Sequence, residues 1–111
     1  MADCVICRIV AGEIPAKIVH QDERAVAFHD INPAAPFHVL VVPRDHVPKL
    51  SELGDEALGG HLLGVVRAVA AKAGYADNFR LVVNNGDFAG QSVWHLHLHV
   101  LGGRQFTWPP G

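Results

Sequence analysis

Apolar residues recur at every third or fourth position through Leu58, Leu62, Val65, Val66, Val69, Ala70 and Ala73, the spacing that lines one face of an α-helix. The segment Ser51 to Ala73 is therefore predicted as one long amphipathic helix. Gly74 ends it, because glycine takes a left-handed conformation at a helix C-terminus without a Cβ clash. A second apolar run, Cys4 to Ala11 before Gly12, predicts a short N-terminal helix. Elsewhere the apolar runs are short and bounded by turn residues. Ile18 to His20 and Ala25 to His29 flank the polar Gln21-Asp22-Glu23-Arg24 and read as a β-hairpin. The connection Asp30 to Pro36 leads into Phe37 to Val42, a β-branched run stopped by Pro43. Phe79 to Val83 and Trp94 to Leu101 supply two further strands, separated by the glycine-containing loop Asn84 to Ser92. Five strands with one long helix and one short helix, in this order, predict an α+β domain: an antiparallel sheet with helices on one face.

The chain has 111 residues, half of them hydrophobic and 18% charged. That composition fills one core, and the whole of 1–111 is read as a single domain ending in a tail, 104–111. A net charge of −2 excludes the broad basic footprint of a nucleic-acid-polymer binder. No membrane span is expected, since the best candidate, Leu62 to Ala71, is interrupted by Arg67 and falls short of the roughly 20 apolar residues required. Asp3, Arg8 and Glu13 break up any signal-peptide core, so a cytoplasmic location is expected.

Histidine changes the picture, because there are eight. In His95-Leu96-His97-Leu98-His99-Val100 they alternate with aliphatics, so on a strand the three imidazoles share one face while Leu96, Leu98 and Val100 enter the core. Neighbouring imidazoles would sit about 7 Å apart, suited to acting on opposite sides of one phosphorus. Upstream, Gly86-Asp87-Phe88-Ala89-Gly90-Gln91-Ser92 offers glycines that let backbone N–H groups approach an anion, so loop and triad together predict a phosphate pocket. His20, His29 and His61 fit no motif and read as surface or packing residues.

The run from Gly90 through Val93-Trp94-His95-Leu96-His97-Leu98-His99 to Gly102-Gly103-Arg104 resembles the histidine-triad signature. The tail Trp108-Pro109-Pro110-Gly111 is similar to that of the Hint branch of this family. The resemblance extends to Glu13-Ile14-Pro15-Ala16-Lys17, Ala27-Phe28-His29-Asp30-Ile31 and Val82-Val83-Asn84, and so to nearly the whole chain. It implies a homodimer, its two sheets joined across a two-fold axis, that binds purine nucleoside monophosphates and hydrolyses their phosphoramidates. No organic cofactor is implied. The resemblance makes His97 the nucleophile, His99 a contact to the phosphate oxygens and Ser92 a contact to the leaving-group nitrogen. A cationic neighbour, such as a charged His99, would help to keep His97 neutral. His38 resembles the family's additional histidine that orients the triad, although a hydrogen-bonded sheet histidine would look the same. Asp30 resembles the acid that grips both ribose hydroxyls, a position a plain turn former would also occupy. Ile6, Phe28 and Ile31 would line a slot for the base, or simply pack in the core. Asn84, Gly90 and Gln91 are the remaining sugar and phosphate contacts.

Cys4-x-x-Cys7 is a second constellation, either a pair of small buried thiols or half of a tetrahedral zinc site. Some bacterial histidine-triad proteins resemble the latter, and by that resemblance His46, in Pro43-Arg44-Asp45-His46, and His95 complete a structural Zn2+ site. Trp108, on a stiff Pro-Pro tail, cannot easily join its own core, so a partner subunit is expected to cover it. The resemblance places it near the partner's pocket, as a leaving-group contact in trans. Three rival readings are a dinucleoside polyphosphate hydrolase, a nucleotide-binding regulatory module with incidental turnover, and a protein whose triad itself coordinates a metal.

Overall fold

A computed structural model describes residues 3–111. The elements run α1 (Val5–Val10), β1 (Ile18–Gln21), β2 (Ala25–His29), β3 (Phe37–Pro43), α2 (Glu56–Lys72), β4 (Arg80–Val82) and β5 (Leu98–Gly102). All five strands pair antiparallel in one sheet of order β1-β2-β3-β5-β4. The expected fold class is therefore the observed one.

The long helix starts later than its apolar periodicity predicts. Leu50–Glu52 forms a separate 3-10 turn, and Asp55 caps α2 by accepting the Leu58 N–H at 3.1 Å. A short acceptor side chain before the first turn satisfies a donor that has no partner inside the helix. Gly74 closes the helix at φ +92°, as expected.

The two helices do not share a face of the sheet, contrary to expectation. Leu58, Leu62, Val65, Val66 and Val69 of α2 pack on Ala25, Ala27, Val39, Val41, Leu96, Leu98 and Val100. On the opposite face Ile6 of α1 packs with Val26, Phe28 and Val42. The alternation of every strand between two faces explains both clusters, since β2 and β3 are buried on both sides and read as continuous apolar runs.

Asp22, in the β1–β2 turn, fastens the hairpin to α2. Its Oδ2 lies 2.7 Å from His20 Nε2 and 2.9 Å from His61 Nε2, and its Oδ1 accepts the N–H groups of Arg24 and Ala25. Burial pushes this carboxyl up, but the bonds from His20, Arg24, His61 and Ala25 outweigh it and hold the group well below the usual carboxylate range. Asp22→Ala is expected to cost about 1 to 3 kcal/mol of stability at neutral pH, for charge-assisted bonds lost. A depressed folded pKa stabilises above the unfolded value near 3.9, and this contribution drains as the pH falls below it. The gap between native protein and variant should therefore narrow below about pH 4, and thermal melts at pH 7 and pH 3 measure it.

Candidate functional site

The strand β5 begins only at Leu98, so Trp94–His97 is an irregular extended segment leading into it rather than regular strand. Alternation survives through this segment. Leu96, Leu98 and Val100 enter the core under α2, and the histidines emerge on the α1 face. They are not a uniformly exposed row, however. His95 is fully buried, while His97 and His99 are half-buried. The His97 and His99 rings stand 5.0 Å apart at 66°, side by side and closer than the regular strand repeat predicts.

Hydrogen-bond partners assign the proton on each ring. His97 Nδ1 lies 2.7 Å from the His95 carbonyl oxygen. A carbonyl only accepts, so His97 carries a proton on Nδ1, and the neutral ring presents an unprotonated Nε2. The Ala34 N–H donates to His38 Nδ1 at 2.9 Å, which leaves His38 its proton on Nε2, 2.9 Å from His99 Nδ1. His38 therefore donates to His99, and His99 keeps its own proton on Nε2. The strand register sets this contact: His38 faces Leu101 across the β3–β5 ladder, and Leu40 faces His99.

Burial, and then the neighbouring His97 and His38, push His99 down to about 4, with Asp30 opposing. Burial lowers His38 as well, again against Asp30. Neutral His99 is thus not the cationic neighbour expected for His97; it is a neutral N–H donor at physiological pH. Asp30 holds the Asn32 N–H at 2.8 Å through Oδ1 and sets Oδ2 3.4 Å from His38 Nε2, so the carboxylate that shapes the turn also borders the His38–His99 pair.

The other expected contacts divide. Ile6 and Phe28 pack together in the smaller core cluster, whereas Ile31 is 92% exposed. Asn84 approaches Gly90, whose φ of +94° ends the Asp87–Ala89 turn. Gln91 is buried with its amide fully engaged, accepting the Gly86 N–H and donating to the Pro48 and Val93 carbonyls. Any contact it makes to substrate falls to its backbone. The N–H groups of Ala89, Gly90 and Gln91 bond carbonyls of their own turn, so the loop is not the open anion cradle its glycines suggested. Ser92 is exposed at its end. Trp108 is 80% exposed, on a tail held by Phe106 against the Arg80 and Arg104 guanidiniums and by Arg80 donating to the Thr107 carbonyl.

Cys4, Cys7, His46 and His95 converge, with one ligand atom from each lying within 4.8 Å of all the others. His95 Nδ1 is 3.3 Å from Cys4 Sγ and 3.5 Å from Cys7 Sγ, and His46 Nδ1 is 3.3 Å from Cys7 Sγ. Two thiols and two imidazoles fit a tetrahedral S2N2 donor set, so these residues could hold a metal ion. His95 Nε2 donates to the Pro43 carbonyl at 2.8 Å, the second bond that orients a ligating imidazole. Burial, then Cys4, raises the Cys7 thiol; burial, then His46 and His97, lowers His95 against the Pro43 bond. Asp30, His38 and His99 also place ligand atoms within 4.8 Å. There, however, two nitrogens 2.9 Å apart share a proton. The triad is thus split, His95 toward the thiols and His97 with His99 toward the cleft, which disfavours a metal held by the triad itself.

A cavity of about 590 Å3 opens beside the cysteine cluster and is bounded by Asp3, Val5, Ser92, Val93 and Trp94. Asp3 carried no motif, and Trp94, although inside the triad signature, was given no role. The acceptor carbonyls of Pro43 and His95 and the donor Ala34 are backbone groups, which side-chain identity does not announce.

A family model described as the HIT domain matches residues 11–106. An uncharacterized HIT-like protein of Synechocystis sp. is 53% identical over 111 residues, covering 98% of this chain and 97% of its own. Among solved structures, a HIT family hydrolase from Legionella pneumophila is 42% identical with a TM-score of 0.95, covering 98% of this chain and 100% of that one. A histidine triad protein from Clostridium difficile is 39% identical with a TM-score of 0.92, covering 96% of each chain.

Proposed function

The chain belongs to the HIT domain family, and on that premise we propose that it hydrolyses purine nucleoside 5′-phosphoramidates through a nucleotidyl intermediate on His97. The observation that carries this reading is the 2.7 Å bond from His97 Nδ1 to the His95 carbonyl, which leaves Nε2 as a free nucleophile beside the donor His99.

In the first step His97 Nε2 bonds to the α-phosphorus and the P–N bond breaks. The departing amine takes a proton relayed from solvent by the Ser92 hydroxyl. In the second step water attacks the same phosphorus, the bond to His97 breaks, and the water's proton returns to solvent. Nucleoside monophosphate and neutral His97 result. His99 Nε2–H donates to a phosphate oxygen, and the Ala34–His38–His99 chain holds that proton in place. Asp30 takes the ribose hydroxyls. Asn84 completes the sugar and phosphate contacts, the engaged N–H groups of Gly90 and Gln91 leave only their carbonyls to face a sugar hydroxyl, and Ile6, Phe28 and Ile31 form the base side. Cys4, Cys7, His46 and His95 would hold one Zn2+, which when bound would cross-link α1 to the segment before β5.

The deciding experiment assays adenosine 5′-phosphoramidate beside a dinucleoside polyphosphate, with monophosphate binding measured separately. Turnover confined to the phosphoramidate supports this reading. Turnover confined to the dinucleotide replaces it with the polyphosphate hydrolase, and binding without useful turnover replaces it with the regulatory module.

We infer a homodimer from the free outer edge of β4 and the exposed Trp108, each of which a second copy would cover. The domain of 1–111 is then the catalytic unit, its tail serving the partner. Truncation after Thr107 keeps the Phe106 stack on Arg80 and Arg104 and removes only Trp108–Gly111. It is expected to change the preference among amine leaving groups several-fold, while monophosphate affinity stays within about twofold. Unchanged preference in a dimeric truncation would refute the contact in trans.

A further inference from the structure

We propose that the cavity between α1 and the Ser92–Trp94 segment is the leaving-group subsite, selecting amines that carry a second positive charge on a short aliphatic body. The inference rests on the phosphoramidase reading and specifies the substrate class for it.

At about 590 Å3 the cavity falls within the range of small-molecule sites, roughly 300 to 1,000 Å3. Ser92, placed above at the leaving-group nitrogen, forms part of its wall. Val5 and Trp94, 42% and 45% exposed, are large apolar side chains left in water, and both border this one space together with Val93. Among the described residues Asp3 is the only carboxylate in the wall, and no lysine or arginine of theirs joins it. The imidazole of His46 also borders the cavity, but its Nδ1 is turned to Cys7 Sγ in the thiol cluster.

These walls match one kind of ligand. An aliphatic stem packs on Val5 and Val93, and an ammonium is attracted by the Asp3 carboxylate and the Trp94 ring. A nucleotide leaving group would bring its phosphates toward Asp3, a like-charge approach that the site opposes. The reaction is unaltered: the P–N bond breaks, the scissile nitrogen takes its proton, and the remote ammonium leaves unchanged.

The test compares adenosine 5′-phosphoramidates of 1,4-diaminobutane and n-pentylamine, which differ mainly in the terminal charge. The native protein is expected to favour the diamine compound by about tenfold in kcat/KM, the combined effect of an exposed ion pair and a cation–π contact. Asp3→Asn should reduce that ratio to about threefold, and added salt should reduce it in the native protein. Zinc content measured on the variant guards against disturbance of the adjacent Cys4. Equal rates on the two compounds, or a ratio preserved in Asp3→Asn, would overturn the subsite alone. Hydrolysis of neither compound beside turnover of unsubstituted adenosine 5′-phosphoramidate would likewise overturn the subsite alone, and hydrolysis of none of the three would remove the phosphoramidase reading, and the subsite with it.

Discussion

His97→Asn is expected to lower turnover by about ten-thousand-fold or more, while adenosine monophosphate still binds within a few-fold of its native affinity. Asparagine cannot attack phosphorus, yet its side-chain amide can donate to the His95 carbonyl that now holds His97 Nδ1. The substitution therefore deletes the nucleophile and keeps the anchoring bond. Because His99 takes its proton geometry from His38 rather than from His97, the phosphate donor is preserved in the variant. Acid quenching of the native protein during turnover should trap a nucleotidyl group on His97. Retained activity in the variant, or an adduct on any other residue, would sink the mechanism.

Most of the fold was legible because each of its periodicities has one geometric solution. Residues Ala25 to His29 and Phe37 to Val42 are short β-branched and apolar runs between turn residues, and both are strands. The start of α2 was not legible from periodicity, because the apolar spacing begins only at Leu58 and the polar Asp55 cap, three residues earlier, fixes the first turn. The placement of α1 on the opposite face could not be read either. Ile6 is apolar in any arrangement, and which face it covers depends on how the Pro15 turn returns the chain to β1. At the site, the identities of His97, His99 and His38 stood out in the sequence, but their protonation did not. Backbone groups of Ala34 and His95 dictate the tautomers, and burial rather than sequence keeps His99 neutral. Gln91 shows the converse: a polar residue in a glycine-rich loop suggests substrate contact, and the fold uses it to tie that loop to Pro48 and Val93.

Removing the metal from the Cys4, Cys7, His46 and His95 cluster is expected to lower the melting temperature by roughly 10 to 20 °C, with about one zinc per chain found beforehand. Binding only the folded state stabilises in proportion to the logarithm of saturation, about 4 kcal/mol at a thousandfold excess over Kd. The domain should nevertheless remain folded at room temperature, because the larger core under α2 is independent of the thiols. What a metal there would fasten is α1 and the segment entering β5. Cys4 and Cys7 sit at the start of α1, His46 follows β3, and His95 lies in the extended segment that leads into β5. Losing that cross-link frees α1 to lift from Val26, Phe28 and Val42. Four filled ligand positions would leave no place for substrate or water, so the expected role is structural. The residual activity of the chelated protein should thus fall in step with its folded fraction, measured by circular dichroism across the melt. Cys7→Ser should reproduce both the lost zinc and the lowered melting temperature. Protein purified without chelator that contains no zinc, or whose melt is unaffected by a strong chelator, would overturn the assignment.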